Sequence, residues 1–348
     1  MNIRQATYSD QANWDNFVCL HPESVPYHLF GWLLAIENTY KFKSVSLLAE
    51  ESGQIVGVFP ITLFKIPFSR PSLVALPFCD VGALLTTNKR VEMDLFAAAL
   101  DIANKHNASI VDIRGDVGSE ILESCAHPIQ TTHNKVRMVL ELPGSSEELW
   151  NGFKSKLRSQ IRKAEKNGLR FELANHKINE FYSIFSENMR DLGSPVHAKK
   201  WLEQVVKQFG ENVNLGLVYS NNKAVGAGII LRVGNKNSIP WASTLREYNH
   251  LNPNMLLYWG FLQHSADNAC AVFDFGRSTP DEGTYRFKAQ WGATPKDLPW
   301  HRIYSRAHPP NESAGASKNR RRVEALWQKL PLSIANFVGP QVRKYISL

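Results

Sequence analysis

Residues 214–231 read Asn214-Leu-Gly-Leu-Val-Tyr-Ser-Asn-Asn-Lys-Ala-Val-Gly-Ala-Gly-Ile-Ile-Leu231. Two apolar runs flank the Asn221-Asn222 pair, and asparagine favours tight turns, so this stretch is predicted to be a β-hairpin. A helical segment at 254–268 and a short apolar strand at 272–277 follow it. Hairpin, helix and strand in this order predict one α+β unit.

The first half of the chain repeats this order. Residues 44–63 are predicted to form a hairpin, residues 91–105 a helix and residues 110–115 a short apolar strand. Asp112 lies in the first copy of that strand, and Asp274 lies in the second copy, 162 residues further on. The pattern predicts two copies of one α+β unit, although chance agreement of a common element order would look the same.

Composition indicates a two-domain protein without membrane spans. The chain has 348 residues, of which 43% are hydrophobic and 21% charged, as in ordinary globular enzymes. It contains no apolar N-terminal run typical of a signal peptide and no run approaching the roughly 18 apolar residues that cross a bilayer. The four cysteines are scattered, without the spacing of a zinc site or a disulfide framework. We therefore expect reduced thiols, no metal site and a cytoplasmic location.

The positive charge is concentrated in two segments. The formal net charge is +8, to which residues 306–348 contribute +6 and residues 145–168 contribute +3. The remainder is nearly neutral, which argues against a general nucleic-acid-binding surface. We expect a first domain over residues 1–144, a second over 145–305 that opens with the basic segment, and a basic amphipathic tail over 306–348.

The basic segment 145–168 is predicted to be a single helix. Ser145 and Glu148 form a capping box at its start, and Asn167-Gly168 ends it. Four cations recur at every fourth position: Lys154, Arg158, Arg162 and Lys166. Such a column would bind a phosphorylated ligand, because arginine can hold phosphate in bidentate fashion. A solvated helix face is the alternative interpretation.

Residues 271–292 contain the strongest indication of a site. They read Ala271-Val-Phe-Asp-Phe-Gly-Arg-Ser-Thr-Pro-Asp-Glu-Gly-Thr-Tyr-Arg-Phe-Lys-Ala-Gln-Trp-Gly292. Charged, hydroxylated and aromatic residues at the carboxyl end of a strand are typical of a ligand site. The alternative is a surface turn in which Asp274 is satisfied locally. The Asp-Phe-Gly triplet also occurs in protein kinases, but the other kinase motifs are missing here.

Two further polar clusters stand out. Arg190 and Asp191 follow a predicted helix over 179–190, and they would either pair with each other or line a cleft. Asp80 is a lone carboxylate in the apolar stretch 76–82, where it would serve a site or cap a turn.

The segment 243–254 connects a strand to the helix at 254–268. It begins at Ser243, and either Asn252 or Asn254 would cap the helix. The first backbone N–H groups of a helix have no partner within it, so they could bind an anion here.

The C-terminal tail has two interpretations. The Ser313-Ala-Gly-Ala-Ser317 stretch predicts a flexible joint, and the basic run Lys318-Asn-Arg-Arg-Arg322 is followed by amphipathic and apolar residues up to 338. The tail would either rest on an anionic membrane surface or pack on the body as a latch. Pro331 and Pro340 keep its helices short, which favours the latch.

Several motifs occur together over nearly the whole chain: Leu76-Pro-Phe-Cys-Asp-Val-Gly82, Arg158-Ser-Gln-Ile-Arg-Lys-Ala-Glu-Lys-Asn-Gly168, Met189-Arg-Asp-Leu-Gly-Ser-Pro195, Asn252-Pro-Asn-Met-Leu-Leu-Tyr-Trp259, Phe273-Asp-Phe-Gly-Arg-Ser278, Tyr285-Arg-Phe-Lys-Ala-Gln-Trp-Gly-Ala293 and Trp327-Gln-Lys-Leu-Pro-Leu332. In this combination the sequence resembles the FemAB-like family, in particular its branch associated with the PEP-CTERM/exosortase system of Gram-negative bacteria. The resemblance implies an α+β protein with a tandem pair of GNAT-like domains and a C-terminal helical tail.

The resemblance also implies an activity. Fem-type enzymes transfer an aminoacyl group from tRNA to an amine of a cell-wall precursor, and more distant relatives take acyl groups from coenzyme A or a carrier. The resemblance therefore implies an acyl- or aminoacyltransferase that moves an activated acyl group from a thioester or tRNA ester donor to an amine of a cell-envelope, peptidoglycan-like or exopolysaccharide precursor, without a covalent enzyme nucleophile. Lys288 matches the family's Phe-Lys motif and is expected to face the developing negative charge or a donor phosphate. Asp80 and Asp274 are candidates to orient or deprotonate the amine. Further residues are expected to bind substrate or its phosphates: Arg158, Arg162, Arg190, Asp191, Ser243, Asn254, Tyr258, Arg277, Ser278, Tyr285 and Trp291.

The donor stays open among acyl-CoA, acyl carrier protein and aminoacyl-tRNA, none of them bound tightly. Residues 246–251 lack the glycines of the usual acetyl-CoA loop, and the helical-hairpin insertion of some Fem-type proteins is missing. The acceptor is expected to be a small-molecule or lipid-linked envelope precursor. The alternative function is a non-catalytic GNAT pair that binds such a precursor as a scaffold. We expect a monomer, cytoplasmic and either free or peripheral to the inner membrane.

Overall fold

Runs of strands are separated by helices along the chain in the computed structural model, which describes residues 1–305 and 322–348. The strands are β1 Asn2–Gln5, β2 Lys43–Ser44, β3 Leu47–Glu51, β4 Gln54–Phe59, β5 Ile61–Phe64, β6 Ser72–Ala75, β7 Leu85–Thr86, β8 Ile110–Arg114, β9 Ile129–Thr132, β10 Val136–Glu141, β11 Leu169–Leu173, β12 Val213–Ser220, β13 Lys223–Val233, β14 Lys236–Thr244, β15 Val272–Ser278, β16 Thr294–Asp297 and β17 Trp300–Tyr304. The α-helices are α1 Gln11–Leu20, α2 Phe30–Tyr40, α3 Lys89–Lys105, α4 Ser119–Ser124, α5 Ser146–Gly152, α6 Ser155–Lys166, α7 Ile178–Asp191, α8 Lys199–Phe209, α9 Pro253–Asp267, α10 Gly283–Ala289, α11 at 322–327 and α12 Leu332–Arg343.

The described residues divide into two compact units, and the division differs from the boundaries expected at residues 144 and 305. The first unit contains Met1–Val136, residues 296–305 and Tyr345–Leu348. The second contains Arg137–Pro295 and residues 322–344. The difference has a topological reason, because β17 pairs with both β8 and β9 and so belongs to the first unit.

The second unit is built on one sheet, with the strand order β11-β12-β13-β14-β15-β10-β16. The predicted hairpin of residues 214–231 is confirmed as β12 and β13, which pair antiparallel with Leu217 opposite Ala227. Helix α9 is almost entirely buried and packs on this sheet. Gly260 makes the packing possible, since a Cβ there would lie 2.4 Å from the Phe171 ring. The branched and aromatic side chains of helix and sheet therefore form one core.

The first unit repeats the same plan with its strands divided between two sheets. Their orders are β1-β3-β4-β7 and β2-β5-β6-β8-β17-β9. Pro60 separates β4 from β5 and has no N–H to donate, which marks the change of sheet. β6 and β8 pair in parallel with Val74 opposite Asp112, just as β14 and β15 pair with Ser238 opposite Asp274. The α+β class and the tandem repeat are thus confirmed.

The predicted helix over 145–168 is two helices, α5 and α6. Ser145 caps α5 as predicted, its side chain accepting the Glu148 amide. The break falls at Phe153 and Lys154, both extended in backbone conformation. The Phe153 ring is buried there, 5.7 Å from the Trp259 ring and 5.6 Å from the Trp291 ring. A single uninterrupted helix would not place the Phe153 ring between these two rings. Tertiary packing therefore overrides the helical preference of the local sequence.

The described part of the tail docks on the second unit. α12 packs against α7, and a Cβ at Gly339 would lie 3.1 Å from the Val196 nitrogen. The last residues return to the first unit, where the Ser347 carbonyl accepts the Phe78 amide at 2.7 Å. Residues 306–321, with the predicted joint and most of the basic run, lie outside the described residues. Within the described ranges, no helix combines the length and apolarity needed to cross a bilayer.

Candidate functional site

Strands β14 and β15 part after a short parallel ladder. Their register covers Lys236 to Ser238 and ends at Asp274, although β14 continues to Thr244 and β15 to Ser278. Pro240 lies two residues beyond Ser238, and it has no N–H to give to a neighbour. A β-bulge at the same place shifts the β13–β14 register and bends the strand. Beyond this ladder the two strands no longer pair with each other, and we call the gap between their carboxyl ends the strand opening.

Asp274 is held at the mouth of the strand opening by two partners. Its Oδ2 accepts hydrogen bonds from Arg137 Nη2 at 2.7 Å and Nε at 3.1 Å, and its Oδ1 accepts the Gly276 amide at 2.8 Å. The Asp274 side chain is only 5% exposed. Gly276 has a φ of +74°, a conformation in which glycine is favoured over other residues. These contacts favour the second interpretation from the sequence, in which the Asp274 carboxylate is satisfied by hydrogen bonds from its own surroundings.

Lys288 lies on α10 and is buried against the end of β15. Its Nζ donates to the Gly276 carbonyl at 3.1 Å and to the Arg277 carbonyl at 2.8 Å. The side chain is 8% exposed, so the cation is largely shielded from solvent. A positive charge fixed in this way interacts more strongly with a developing negative charge than a solvated one.

Aromatic rings form one wall beside Lys288. Tyr258 of α9 stacks on Phe275 at 5.6 Å and meets the edge of Phe287 at 5.0 Å. Trp291 joins them with its ring 6.2 Å from that of Tyr258. Burial raises the pKa of the Tyr258 hydroxyl well above its usual value, so it stays protonated at neutral pH.

Two polar atoms near this wall are buried without a hydrogen-bond partner among the residues that the structure describes. They are the Ser278 hydroxyl oxygen and the Trp291 indole nitrogen, on residues that are 3% and 1% exposed. Such atoms are costly to leave unsatisfied, so a ligand or water is expected to bond them. Arg277 and Tyr285 lie close by in sequence and are half-buried.

The start of α9 follows the end of β14 through a 3-10 turn over Arg246–Leu251. Asn252 takes the cap position with a φ of +65°, and its side chain makes no capping hydrogen bond. Asn254 is half-buried in the first turn, and the Ser243 hydroxyl accepts a hydrogen bond from Asn188 at 3.0 Å. The turn occupies the place expected for a glycine-rich loop.

The two arginines of the basic column contact their own segment. Arg158 Nη1 donates to the carbonyls of Trp150 and Asn151, at 3.4 and 3.2 Å, which close the end of α5. The Arg162 guanidinium lies 5.3 Å from the centre of the Trp150 ring. The Trp150 ring in turn lies 5.0 Å from that of Trp259 on α9. Both arginines thus have structural contacts, while Arg162 remains largely exposed.

Arg190 and Asp191 pair with each other, one of the two outcomes considered from the sequence. Arg190 Nε donates to Asp191 Oδ1 at 2.6 Å, and Nη1 donates to the Leu330 carbonyl at 3.3 Å. The pair therefore anchors the tail on the second unit.

Asp80 belongs to the first unit, and there the opening between the parallel strands is filled. The loop after β6 returns so that Gly82 and Arg114 exchange backbone hydrogen bonds of 2.6 and 3.1 Å. A Cβ at Gly82 would lie 2.1 Å from the Ala75 oxygen, which shows how closely the loop fits. Buried Arg114 also donates to the Cys79 carbonyl at 3.1 Å. Asp80 is half-buried in this loop, at the first unit's counterpart of the strand opening.

The structure thus brings one subset of the predicted residues together. Asp274, Arg277, Ser278, Tyr258, Trp291 and Lys288 cluster around the end of β15. Arg137 was not predicted as a site residue; its signal in the sequence is a cation within the mostly apolar strand β10. Pro240 was not predicted either, although a proline within a predicted strand indicates a bulge or an edge.

Two other observations bear on the site. A groove of about 610 Å³ in the first unit, between α1 and the β3–β4 turn, is lined by none of the predicted site residues. In the part of the chain that the structure describes, no three His, Cys, Asp or Glu side chains are grouped to hold a metal ion.

Comparison with known proteins assigns the second unit to a fold. Residues 151–289 match the family model described as "Acetyltransferase (GNAT) domain", a range that includes the strand opening and Lys288. No curated protein matches the sequence at a significant level.

Solved structures extend the likeness to the whole chain. FemX has a TM-score of 0.68 and 15% identity, with 86% of this chain and 97% of that chain covered. The C-terminal domain of a putative lysylphosphatidylglycerol synthetase from Agrobacterium fabrum has a TM-score of 0.58 and 11% identity, covering 91% and 96%. A tandem GNAT protein from the clavulanic acid biosynthesis pathway has a TM-score of 0.56 and 12% identity, covering 88% and 99%. These likenesses show the tandem GNAT fold.

Proposed function

We propose that the chain is an acyltransferase of the GNAT type whose second unit carries out the transfer. The observation that carries the proposal is the strand opening, which has Lys288 fixed at the end of β15 and lies within the range that matches the GNAT model. The corresponding opening of the first unit is filled by its own loop, so the two copies have different roles.

The strand opening suits an extended donor that carries amide groups. Where two strands part, backbone groups on their facing edges become available to a third chain, as in β-strand addition. The pantetheine arm of acyl-CoA or of acyl carrier protein has this chemistry. The beginning of α9 would then receive a donor phosphate, with Asn254 beside it. Aminoacyl-tRNA is the other donor considered, because the chain has the fold of FemX and of a lysylphosphatidylglycerol synthetase domain.

The reaction would be attack of an acceptor amine on the activated carbonyl. The nitrogen forms a bond to the carbonyl carbon and the carbonyl oxygen becomes negative. Collapse of this intermediate breaks the bond from the carbonyl carbon to the donor sulfur or ribose oxygen, and this leaving atom takes up the proton that the amine loses. The Lys288 ammonium would stabilise the oxyanion, and the aromatic wall with Tyr258 would exclude water. Asp80 belongs to the first unit. Its catalytic role stays a prediction from the resemblance, and activity of Asp80→Asn tests it.

We further propose an acceptor of the cell envelope. The amine would belong to a small-molecule or lipid-linked precursor of peptidoglycan-like material or exopolysaccharide, in keeping with the resemblance to the PEP-CTERM-associated FemAB-like branch. The names of FemX and of the lysylphosphatidylglycerol synthetase domain support aminoacyl transfer to such components. The protein would act in the cytoplasm, as a monomer.

The test is transfer activity after substitution of Lys288, with acyl-CoA, acyl carrier protein and charged tRNA offered in parallel. Lys288→Ala is expected to lower kcat by about 10²–10³, the usual loss on removing one oxyanion partner. Arg286→Ala is the matched control, since Arg286 is a cation on the same helix but is exposed. Full activity of Lys288→Ala with any of the donors would overturn the role of Lys288.

The non-catalytic scaffold is the second candidate function. One observation favours it. The Lys288 ammonium already donates two hydrogen bonds to backbone carbonyls, as a purely structural lysine would do. A scaffold would bind a phosphorylated precursor with unchanged affinity in Lys288→Arg and would convert none of the three donors. Turnover by the wild-type chain with any donor excludes this alternative.

A further inference from the structure

The tail helices α11 and α12 each use one side to dock on the same turn of the second unit. A Cβ at Gly193 would lie 2.8 Å from the Glu324 carbonyl oxygen, so α11 touches this turn closely. Gly339 of α12 approaches Val196, three residues further along the same turn. Ala335 of α12 is 2% exposed and faces the same way. The other sides of both helices consequently point away from the body.

Those outer sides are apolar to an unusual degree. On α11, Val323 is 60% and Leu326 67% exposed, and on α12, Ile334 is 46% and Phe337 78% exposed. In each helix the two residues are three positions apart, so they share one face. We call these four side chains the outer face. Four large apolar residues exposed within fifteen positions exceed the isolated exposures common on protein surfaces.

Positive charges accompany the outer face. Arg322 begins α11, Lys329 lies two residues after its end, and both are exposed; Lys344 follows α12. The single acidic residue of residues 322–348 is Glu324, which lies on the docked side against Gly193. In sequence, Lys318-Asn-Arg-Arg321 immediately precedes α11 and adds further positive charge.

From this combination we infer that the outer face binds the surface of an anionic lipid bilayer. Apolar side chains on short helices insert at the level of the headgroups, and neighbouring lysines and arginines bind anionic headgroups. α12 has 12 residues, which at 1.5 Å each span about 18 Å, well short of the roughly 30 Å bilayer core, so it lies along the surface. A second copy is a poorer occupant, because a two-fold contact would place this positive segment against itself.

The inference goes beyond the proposed transfer reaction and can fail independently of it. The test is flotation of the full chain with vesicles of phosphatidylcholine alone and with 30–40%, roughly, of phosphatidylglycerol added. Binding is expected with the anionic vesicles and to weaken as salt is raised. Phe337→Glu with Leu326→Glu should lower the partition coefficient at least about tenfold by removing apolar burial and adding charge. Arg322→Gln with Lys329→Gln should lower it about 30-fold, at about 1 kcal/mol per basic residue.

The matched control is Leu20→Glu. Leu20 is 78% exposed, like Phe337, but lies at the end of α1 in the first unit. All substituted positions are exposed, so unchanged thermal melting would show that the variants fold. No binding to anionic vesicles, equal binding to both vesicle types, or equal losses in Leu20→Glu would each overturn the inference. So would sedimentation showing that the wild type is a dimer that Phe337→Glu dissociates, because the outer face would then be a self-association surface.

Discussion

Replacing Arg137 by methionine should damage both the stability and the activity of the second unit. The substitution keeps a long apolar stem and removes the guanidinium that donates twice to Asp274. The Asp274 side chain, 5% exposed, would then keep the Gly276 amide as its hydrogen-bond donor within the described residues. Leaving one member of a buried ion pair uncompensated costs about 3–5 kcal/mol, which corresponds to a fall in Tm of roughly 6–20 °C for a unit of this size.

An exposed ion pair of the same length provides the control. Arg170 Nη1 lies 2.7 Å from Glu172 Oε2, the distance found between Arg137 and Asp274, but the Arg170 side chain is 60% exposed. Arg170→Met should therefore cost less than about 1 kcal/mol. Urea unfolding followed by tryptophan fluorescence reports mainly on the second unit, because six of the nine tryptophans lie in it.

The transfer activity of Arg137→Met is the second measurement for this prediction. Asp274 fixes Gly276 in its left-handed conformation, and the carbonyls of Gly276 and Arg277 hold Lys288. Arg137→Met is expected to lower kcat through displacement of Lys288, and its effect should be less than additive with that of Lys288→Ala. Equal losses of stability in Arg137→Met and Arg170→Met would refute the buried-pair argument. A destabilised Arg137→Met with unchanged kcat would refute the link to Lys288.

Two further predictions concern other parts of the second unit. Burial, with a smaller contribution from Arg343, holds the pKa of His197 well below its usual value. The unfolded chain therefore takes up a proton near pH 6.5 that the folded chain refuses, so the free energy of unfolding should fall by up to about 1.4 kcal/mol per pH unit as the pH drops below about 6.5. Denaturation of His197→Gln should show a smaller slope, and an unchanged slope would contradict this assignment. Arg158→Ala should lower the free energy of unfolding by about 1 kcal/mol because it closes the end of α5, whereas Arg162→Ala should cost less and instead weaken binding of a phosphorylated substrate. Unchanged affinity of Arg162→Ala for the phosphorylated substrate in titration calorimetry would contradict a binding role and show that Arg162 serves only the contact with Trp150.

The repeated order of elements could be predicted because each hairpin, helix and strand is specified by nearby residues. Hairpin, helix and strand each follow from periodicity and turn residues over ten to twenty positions, as with the hairpin at 214–231. The prediction of a single helix over 145–168 was wrong because the burial of Phe153 depends on the rings of Trp259 and Trp291, which lie 106 and 138 positions further along the chain. No local pattern carries that information.

The candidate site was predictable only in part. Polar and aromatic residues after β15 marked its place, and the family resemblance selected Lys288. The partner of Asp274 was not predictable, since Arg137 lies 137 residues earlier and its pairing depends on the neighbouring positions of β10 and β15 in the sheet. Arg158 and Arg190 likewise donate hydrogen bonds to backbone carbonyls, and a pattern of side chains does not predict such partners.

The position of β17 has a consequence for synthesis on the ribosome. In its sheet this strand lies between β8 and β9, yet it is translated after residues Arg137–Pro295 of the second unit. At a synthesis rate of 5–20 residues per second, roughly 8–30 s separate the emergence of Arg137 from that of Trp300. During this interval the edges of β8 and β9 that pair with β17 have no partner strand. The N-terminal half must therefore wait for the C-terminal half, and a nascent chain stalled before Tyr304 would expose a sheet edge open to aggregation.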